Sequence, residues 1–415
     1  MSFFPEGREY VTITFLRMRV HRSVLSLTAG HFFVDTYSSM LGALLPFLHV
    51  KLNLSLTQSG VLAGTLVFSS ALMQPAYGYL SDRFPHKLFT ALGPAIAGVF
   101  ICSMGIASNF NTLLLLVILG GIGIAMFHPQ GAAEISGFPN RRPGYQMSIF
   151  IGGGMIGYAL GPVYITSLIT LVGLGHSYWA ALPGVLMSSY LLLYGPSPRK
   201  TTQLSTNTRL REILREKLRP ILTLYLLVVI RSINHLIFVA FLPLYFTMRG
   251  YSEIRSAQFL TLFLLAGGIA GFLGGTLSDR FGGKTIITIS TLLYCPLLLG
   301  FLNTRGSLSI VLCALGGAFL LVTAPVNLAM AQKLVRRGAS TVSALMMGFA
   351  WGVGGLFVPL VGWLSDAYGL HLILNSLVLL TAPGFLLIFG LPSQDEIRGP
   401  QSYTRITTLS PSSDP

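Results

Sequence analysis

The chain has 415 residues and a net charge of +14, with 52% apolar side chains and only 10% Asp, Glu, Lys and Arg. A soluble domain carries about 25% charge. That contrast and the mean hydropathy of +0.70 exclude a soluble globular protein and specify one that crosses a bilayer many times. The positive charge does not point to nucleic acid, because it lies in short loops between apolar runs and forms no basic face or binding motif.

Apolar runs of about 20 residues, the length that spans a bilayer, predict twelve helices. Residues 1–22 read as an N-terminal tail without a signal-peptide cleavage pattern. Helices 1 to 6 are predicted at 23–49, 57–79, 88–107, 112–134, 145–170 and 177–195. A polar link, 196–219, carries seven Lys and Arg. Helices 7 to 12 are predicted at 220–246, 256–277, 285–302, 307–331, 341–364 and 370–391. Residues 392–415 read as a polar tail, expected to be disordered.

Alternating sides along this order puts 22 of the 27 Lys and Arg on one face and 4 on the other, with Arg231 inside helix 7. The bias places both tails and the link in the cytoplasm. The cysteines, Cys102, Cys295 and Cys313, all fall in apolar runs, so neither a disulfide framework nor a metal site is expected. No phosphate-binding loop or nucleophile triad appears, so neither an enzyme nor a cofactor is expected.

The order contains a repeat. Gly78-Tyr79-Leu80-Ser81-Asp82-Arg83-Phe84-Pro85-His86-Lys87 returns 197 positions later as Gly275-Thr276-Leu277-Ser278-Asp279-Arg280-Phe281-Gly282-Gly283-Lys284. Pro46 with Pro243, and Pro162 with Pro359, keep the same offset. Two homologous six-helix halves follow, 23–195 and 220–391. Their even helix count gives both the same orientation.

These loops resemble the signature of the major facilitator superfamily, roughly G-x-L-x-D-R-x-G-R-K after helix 2. Gly78, Leu80, Asp82, Arg83 and Lys87 match it, and Pro85 departs from it. Within the superfamily, Gly30-His31-Phe32-Phe33-Val34-Asp35-Thr36-Tyr37 and Phe127-His128-Pro129-Gln130-Gly131-Ala132 resemble the fosmidomycin-resistance exporters. That group typically has Glu where Gln130 stands. The resemblance implies an all-α membrane protein of two parallel-repeat bundles, with helices 1, 4, 7 and 10 around a central cavity. It implies a transporter working by alternating access, exporting a drug or small metabolite, with the bilayer and H⁺ as partners and a monomer as the functional unit.

Polar residues concentrate on those four helices. His31 and Asp35 are four apart and share a helix face. A charge inside a membrane helix costs several kcal/mol unless paired or hydrated, so they read as a proton-coupling pair, or else as a structural bond orienting helix 1. His128, before Pro129, joins the candidates for coupling. Glu134 reads as an interfacial charge. On helix 7, Arg231, Asn234 and His235, with Asn327 on helix 10, read as a substrate site. The Arg231 fork suits a phosphonate, phosphate or carboxylate, and a counter-charge to Asp35 or a snorkelling role are its alternatives.

Gly157, Gly161 and Pro162 match the core of the family's antiporter motif and equally make a close-packing seam. Asp82, Arg83 and Lys87 with Asp279, Arg280 and Lys284 read as conformational gates. Asp366, in Gly362-Trp363-Leu364-Ser365-Asp366, echoes that pattern. Phe32, Tyr37, Trp179, Trp351 and Trp363 are expected at interfaces or in packing. An importer or uniporter of a small organic anion, and a non-transporting membrane receptor, are the competing classes.

Overall fold

The computed structural model describes residues 10–13, 18–84, 86–137, 143–196, 210–335, 342 and 345–392. The described residues form twelve membrane helices. Helix 1 is Arg22–Ser38, interrupted at Ser39 and continued as Met40–Leu52. Helix 2 is Leu56–Val67, a π-helical turn Phe68–Leu72, and Gln74–Arg83. Helix 3 is Leu88–Cys102 with a terminal 3-10 turn Ser103–Ile106. Helix 4 is Phe110–Gly137, helix 5 is Pro143–Val172, and helix 6 is Leu174–Ala181 followed by Leu182–Tyr194.

The second half repeats the plan. Helix 7 is Leu210–Met248, helix 8 Glu253–Phe281 and helix 9 Gly283–Asn303. Helix 10 is Gly306–Leu321 and Ala324–Leu334. Helix 11 is a π-helical turn Leu345–Phe349 and Ala350–Tyr368, and helix 12 is Leu370–Thr381 and Ala382–Gly390. Ten of these are long and apolar enough to cross a membrane. Apolar side chains such as Phe272, Leu380 and Phe389 remain exposed on the outer surface, as lipid-facing positions require.

Two differences from the expected organisation stand out. The expected tail holds a short antiparallel hairpin, β1 Tyr10–Ile13 against β2 Met18–His21. The second part of the expected link is helical, because helix 7 starts at Leu210. Residues 197–209 of the link and 393–415 of the tail lie outside the described residues.

Helix 1 packs on helix 5, helix 3 on helices 4 and 6, and helix 8 on helices 9 and 10. The bundles meet where helix 2 packs on helix 11 and helix 5 on helix 8. Glycine makes this seam possible. A Cβ at Gly60 would come 2.7 Å from the Val358 carbonyl oxygen, and one at Gly64 would come 3.0 Å from Pro359. A Cβ at Gly42 would collide with the carbonyl of Val239, and one at Gly362 with that of Leu56.

The seam starts at the far face, opposite the signature loops, and runs to the level of the two π-turns, where Gly352 touches Leu72. Beyond it, the last segment of helix 2 packs against helix 4 of its own bundle.

Candidate functional site

Helix 1 positions the first polar cluster. One turn apart, His31 and Asp35 face the same way, and His31 Nε2 lies 3.1 Å from Asp35 Oδ2. Helix 4 brings His128 to the other carboxylate oxygen, with Nε2 3.0 Å from Oδ1. His31 stacks on Phe150, with ring centroids 4.2 Å apart, and lies 6.0 Å from Phe127. The Asp35 and His128 side chains keep 17% and 23% exposure. The structure therefore unites all three residues expected in proton coupling, with Asp35 and His128 93 positions apart in sequence.

The second nitrogen of each ring fixes what these contacts mean. His31 Nδ1 lies 2.8 Å from the Phe150 carbonyl oxygen, and His128 Nδ1 lies 2.8 Å from that of Ile124. A carbonyl only accepts, so both Nδ1 atoms must donate. A neutral ring then has a bare Nε2, which cannot bond a carboxylate oxygen unless a proton lies between them. Satisfying both contacts takes two protons beyond those on Nδ1. The three ligand atoms also lie within 4.8 Å of one another, close enough to hold one metal ion. The contact distances are those of hydrogen bonds, and protons alone satisfy them.

Helix 7 builds the second cluster, in the other bundle. Arg231 is 6% exposed, and its Nε and Nη1 have no hydrogen-bond partner. Among the described residues no carboxylate lies within ion-pair distance of it, Asp35 included. Its guanidinium lies 5.6 Å from the Trp351 ring centroid. His235, one turn on, meets Trp351 edge-on at 5.1 Å, and its Nδ1 has no partner. A buried guanidinium with free donors is costly, and an anion from outside the chain would satisfy it. Asn327 on helix 10 is buried with a free Oδ1.

Asn234 departs from the expected set. Its Nδ2 donates to the Ile230 carbonyl and to Thr381 Oγ1 at 3.0 Å, so it faces helix 12 inside its own bundle. Adjacent residues point about 100° apart on a helix, so Asn234 cannot share the faces of both Arg231 and His235.

Helix 5 links the clusters through a residue not singled out by the sequence. A Cβ at Gly154 would come 2.5 Å from Asp35 Oδ2 and 2.6 Å from His31 Nε2. One turn on, Tyr158 stacks on His235 with centroids 6.2 Å apart. Its only sequence signal was four-residue spacing from a glycine in a Gly-rich run. Trp351, expected in packing, sits against the helix 7 cluster. Gly157 and Gly161 press on helix 1: a Cβ at either would collide with a backbone carbonyl, of Phe32 and Thr36 respectively. The packing reading of this stretch therefore has direct support, and Pro162 continues the same helix.

The signature loops lie on the link face. Lys87 Nζ donates to the Leu192 carbonyl at 2.7 Å, and Lys284 Nζ donates to that of Leu391 at 2.5 Å. Each lysine thus caps the last helix of its own bundle. Gly78 faces Pro129 of helix 4. Arg83 lies over Phe84 and Arg280 over Phe281. Asp279 is exposed and 4.0 Å from Lys333. The Asp82 side chain lies outside the described residues.

Asp366 sits at the opposite face. Its carboxylate accepts from the Leu56 and Thr57 backbone N–H groups at 2.8 Å each, and from Thr57 Oγ1 at 2.5 Å. A residue of one bundle thus caps a helix of the other.

Twelve helices in two repeated bundles, with buried titratable and cationic groups at their centre, define a membrane transport protein. The chain belongs to the Major Facilitator Superfamily, whose family model matches residues 27–359. It is 30% identical over 89% of its length to an uncharacterized MFS-type transporter, YfnC, of Bacillus subtilis, covering 92% of that protein. It is 26% identical over 88% of its length to the fosmidomycin resistance protein of Escherichia coli, covering 91% of it. Among solved structures, a bacterial homolog of the human lysosomal transporter Spinster, inward-facing and occupied, superposes with a TM-score of 0.73 at 15% identity. That match covers 90% of this chain and 98% of the other. A D-xylose–proton symporter gives 0.69 at 16% identity, covering 89% and 97%. These likenesses establish a transporter, not an enzyme, with relatives in drug resistance.

Proposed function

We propose that the chain is a proton-coupled antiporter that exports a drug or small metabolite bearing an anionic group. The observation that carries this reading is the single carboxylate of Asp35 shared by two imidazoles whose tautomers are fixed. Protons entering or leaving that network change its charge, and alternating access can be driven only by such differential interactions. Arg231, His235 and Asn327, across the bundle boundary, supply the anion site. Tyr158 touches the second cluster from the helix that packs on the first. The link face is cytoplasmic in a plasma membrane, with both termini on that side, and the chain acts as a monomer. The bundles then hold the outer face closed through the glycine seam and Asp366, and the signature loops gate the inner face.

Fosmidomycin, named by a relative, is the first substrate to try. In proteoliposomes, an imposed pH gradient should drive it against the direction of proton flow. Uptake along with protons, or flux indifferent to the gradient, would replace this reading with an anion importer or uniporter.

A further inference from the structure

Helix 4 buries a second carboxyl group that the coupling network does not use. Glu134 lies six residues beyond His128, about 9 Å along the axis, toward the link face. It is not the interfacial charge its sequence position suggests, for it is only 8% exposed. Oε1 accepts from the Gln130 amide at 2.9 Å, and Thr90 Oγ1 lies 3.5 Å away. Oε2 is fully buried with no partner. An ionised carboxylate with an oxygen that no donor reaches bears a large desolvation cost, and a bound proton removes most of it.

Helix 4 packs against helices 1, 2, 3 and 5. The titratable groups those elements bring to this end of the bundle are Arg22, His31 and Asp35 on helix 1, Tyr77, Tyr79, Asp82 and Arg83 on helix 2, Lys87 at the start of helix 3, and Tyr145 on helix 5. His128 lies on helix 4 itself. Among the described residues none forms an ion pair with Glu134. Lys87 is committed to Leu192, and the network holds His31 and His128 on Asp35.

Thr90 connects Glu134 to the signature loop. Its hydroxyl lies 3.1 Å from the Lys87 carbonyl oxygen as well as 3.5 Å from Glu134 Oε1. One hydroxyl proton serves one acceptor at a time. A charged Glu134 draws it away from the loop, and a protonated Glu134 releases it. We propose that Glu134 is a second proton-binding site, placed between the Asp35 network and the link face, and that its occupancy is signalled through Thr90 to the loop carrying Lys87. The signalling role rests on the proton-coupled reading; the proton binding does not.

The test uses the full-length protein in lipid nanodiscs and proteoliposomes. Infrared difference spectra across a pH titration should show a carboxylic acid band that Glu134→Gln removes and Asp35→Asn leaves in place. The pH midpoint of fosmidomycin flux in Glu134→Gln should move by about one unit, a tenfold change in proton affinity, with substrate binding at fixed pH unchanged. A band pattern in Glu134→Gln identical to the parent's overturns the proton site, and a superimposable flux profile overturns the signalling role. Should Glu134→Gln fail to fold, Gln130→Met removes the amide donor instead. It should shift the band and its midpoint, and an unshifted band is equally fatal. Absence of proton-driven flux in the unmodified protein, with the Glu134 band present, removes the transport reading and keeps the proton site.

Discussion

The N-terminal bundle holds the Asp35 carboxylate in a closed network, whereas the C-terminal bundle leaves the Arg231 guanidinium open. Asp35 has an imidazole at each oxygen, and both imidazoles are held from behind by backbone carbonyls. Arg231 has a ring beside it and two nitrogens with no partner. The two halves descend from one repeated plan, with spans, loops and capping lysines in matching places. What differs is the completeness of the polar wiring. In the proposed function, the closed network responds to protons, which are small enough to enter it. In the same proposal, the open donor set binds something larger that brings its own acceptors.

The sharpest way to break this comparison is Asp35→Asn. The amide cannot accept a proton, so proton-driven flux should fall by about a hundredfold, equivalent to ~2.7 kcal/mol. Flux measured in proteoliposomes without a gradient should change far less. Next comes Arg231→Gln. A charge-assisted contact contributes about 1.5–3 kcal/mol, so binding of an anionic substrate should weaken by roughly tenfold to a hundredfold by calorimetry, with Asp35-dependent proton uptake intact. If Arg231→Gln altered proton uptake and spared substrate affinity, the division of labour between bundles would be wrong.

A smaller effect is expected at the helix 1–helix 5 seam. Gly157→Ala drives a methyl into the Phe32 carbonyl, and overpacking of this kind costs about 1–3 kcal/mol. The melting temperature in detergent should drop by several degrees. Asp366→Ala removes a helix cap worth ~1 kcal/mol, so the ratio of closed to open molecules at the far face should fall about fivefold. Cysteine labelling at that face would report it, with substrate affinity little changed. Least of all, Lys87→Met or Lys284→Met should cost about 0.3–1 kcal/mol of stability. Equal losses from the two would support equivalent capping roles in both bundles.

Hydropathy made the spans legible because every backbone group in lipid must bond within its own helix, and the 197-residue offset made the duplication legible. Spacing of four made the His31–Asp35 pair legible. It could not show that His128 completes the pair, since that contact depends on how helix 4 docks against helix 1. Asn234 was misplaced for a related reason: adjacency in sequence to His235 was taken for proximity on the helix surface, although neighbouring residues point about 100° apart. Glu134 looked interfacial because distance from a helix end says nothing about which face a side chain occupies. The echo at Gly362 to Asp366 was visible. The charge count already placed the end of helix 11 opposite the signature loops, so its partner could have been sought at the start of helix 2.

Apart from the hydroxyls of Thr57 and Ser55, Asp366 takes nothing from the described side chains of its partner helix. Its two main donors are the backbone N–H groups of Leu56 and Thr57, which any residue except proline would present. Apolar substitution at the buried position 56, and most substitution at position 57, can therefore occur without removing these two donors. Covariation between homologous sequences, which detects pairs that must change together, will be blind to it, and the only trace of this clasp across a family would be an acidic residue that stays put while its partners wander.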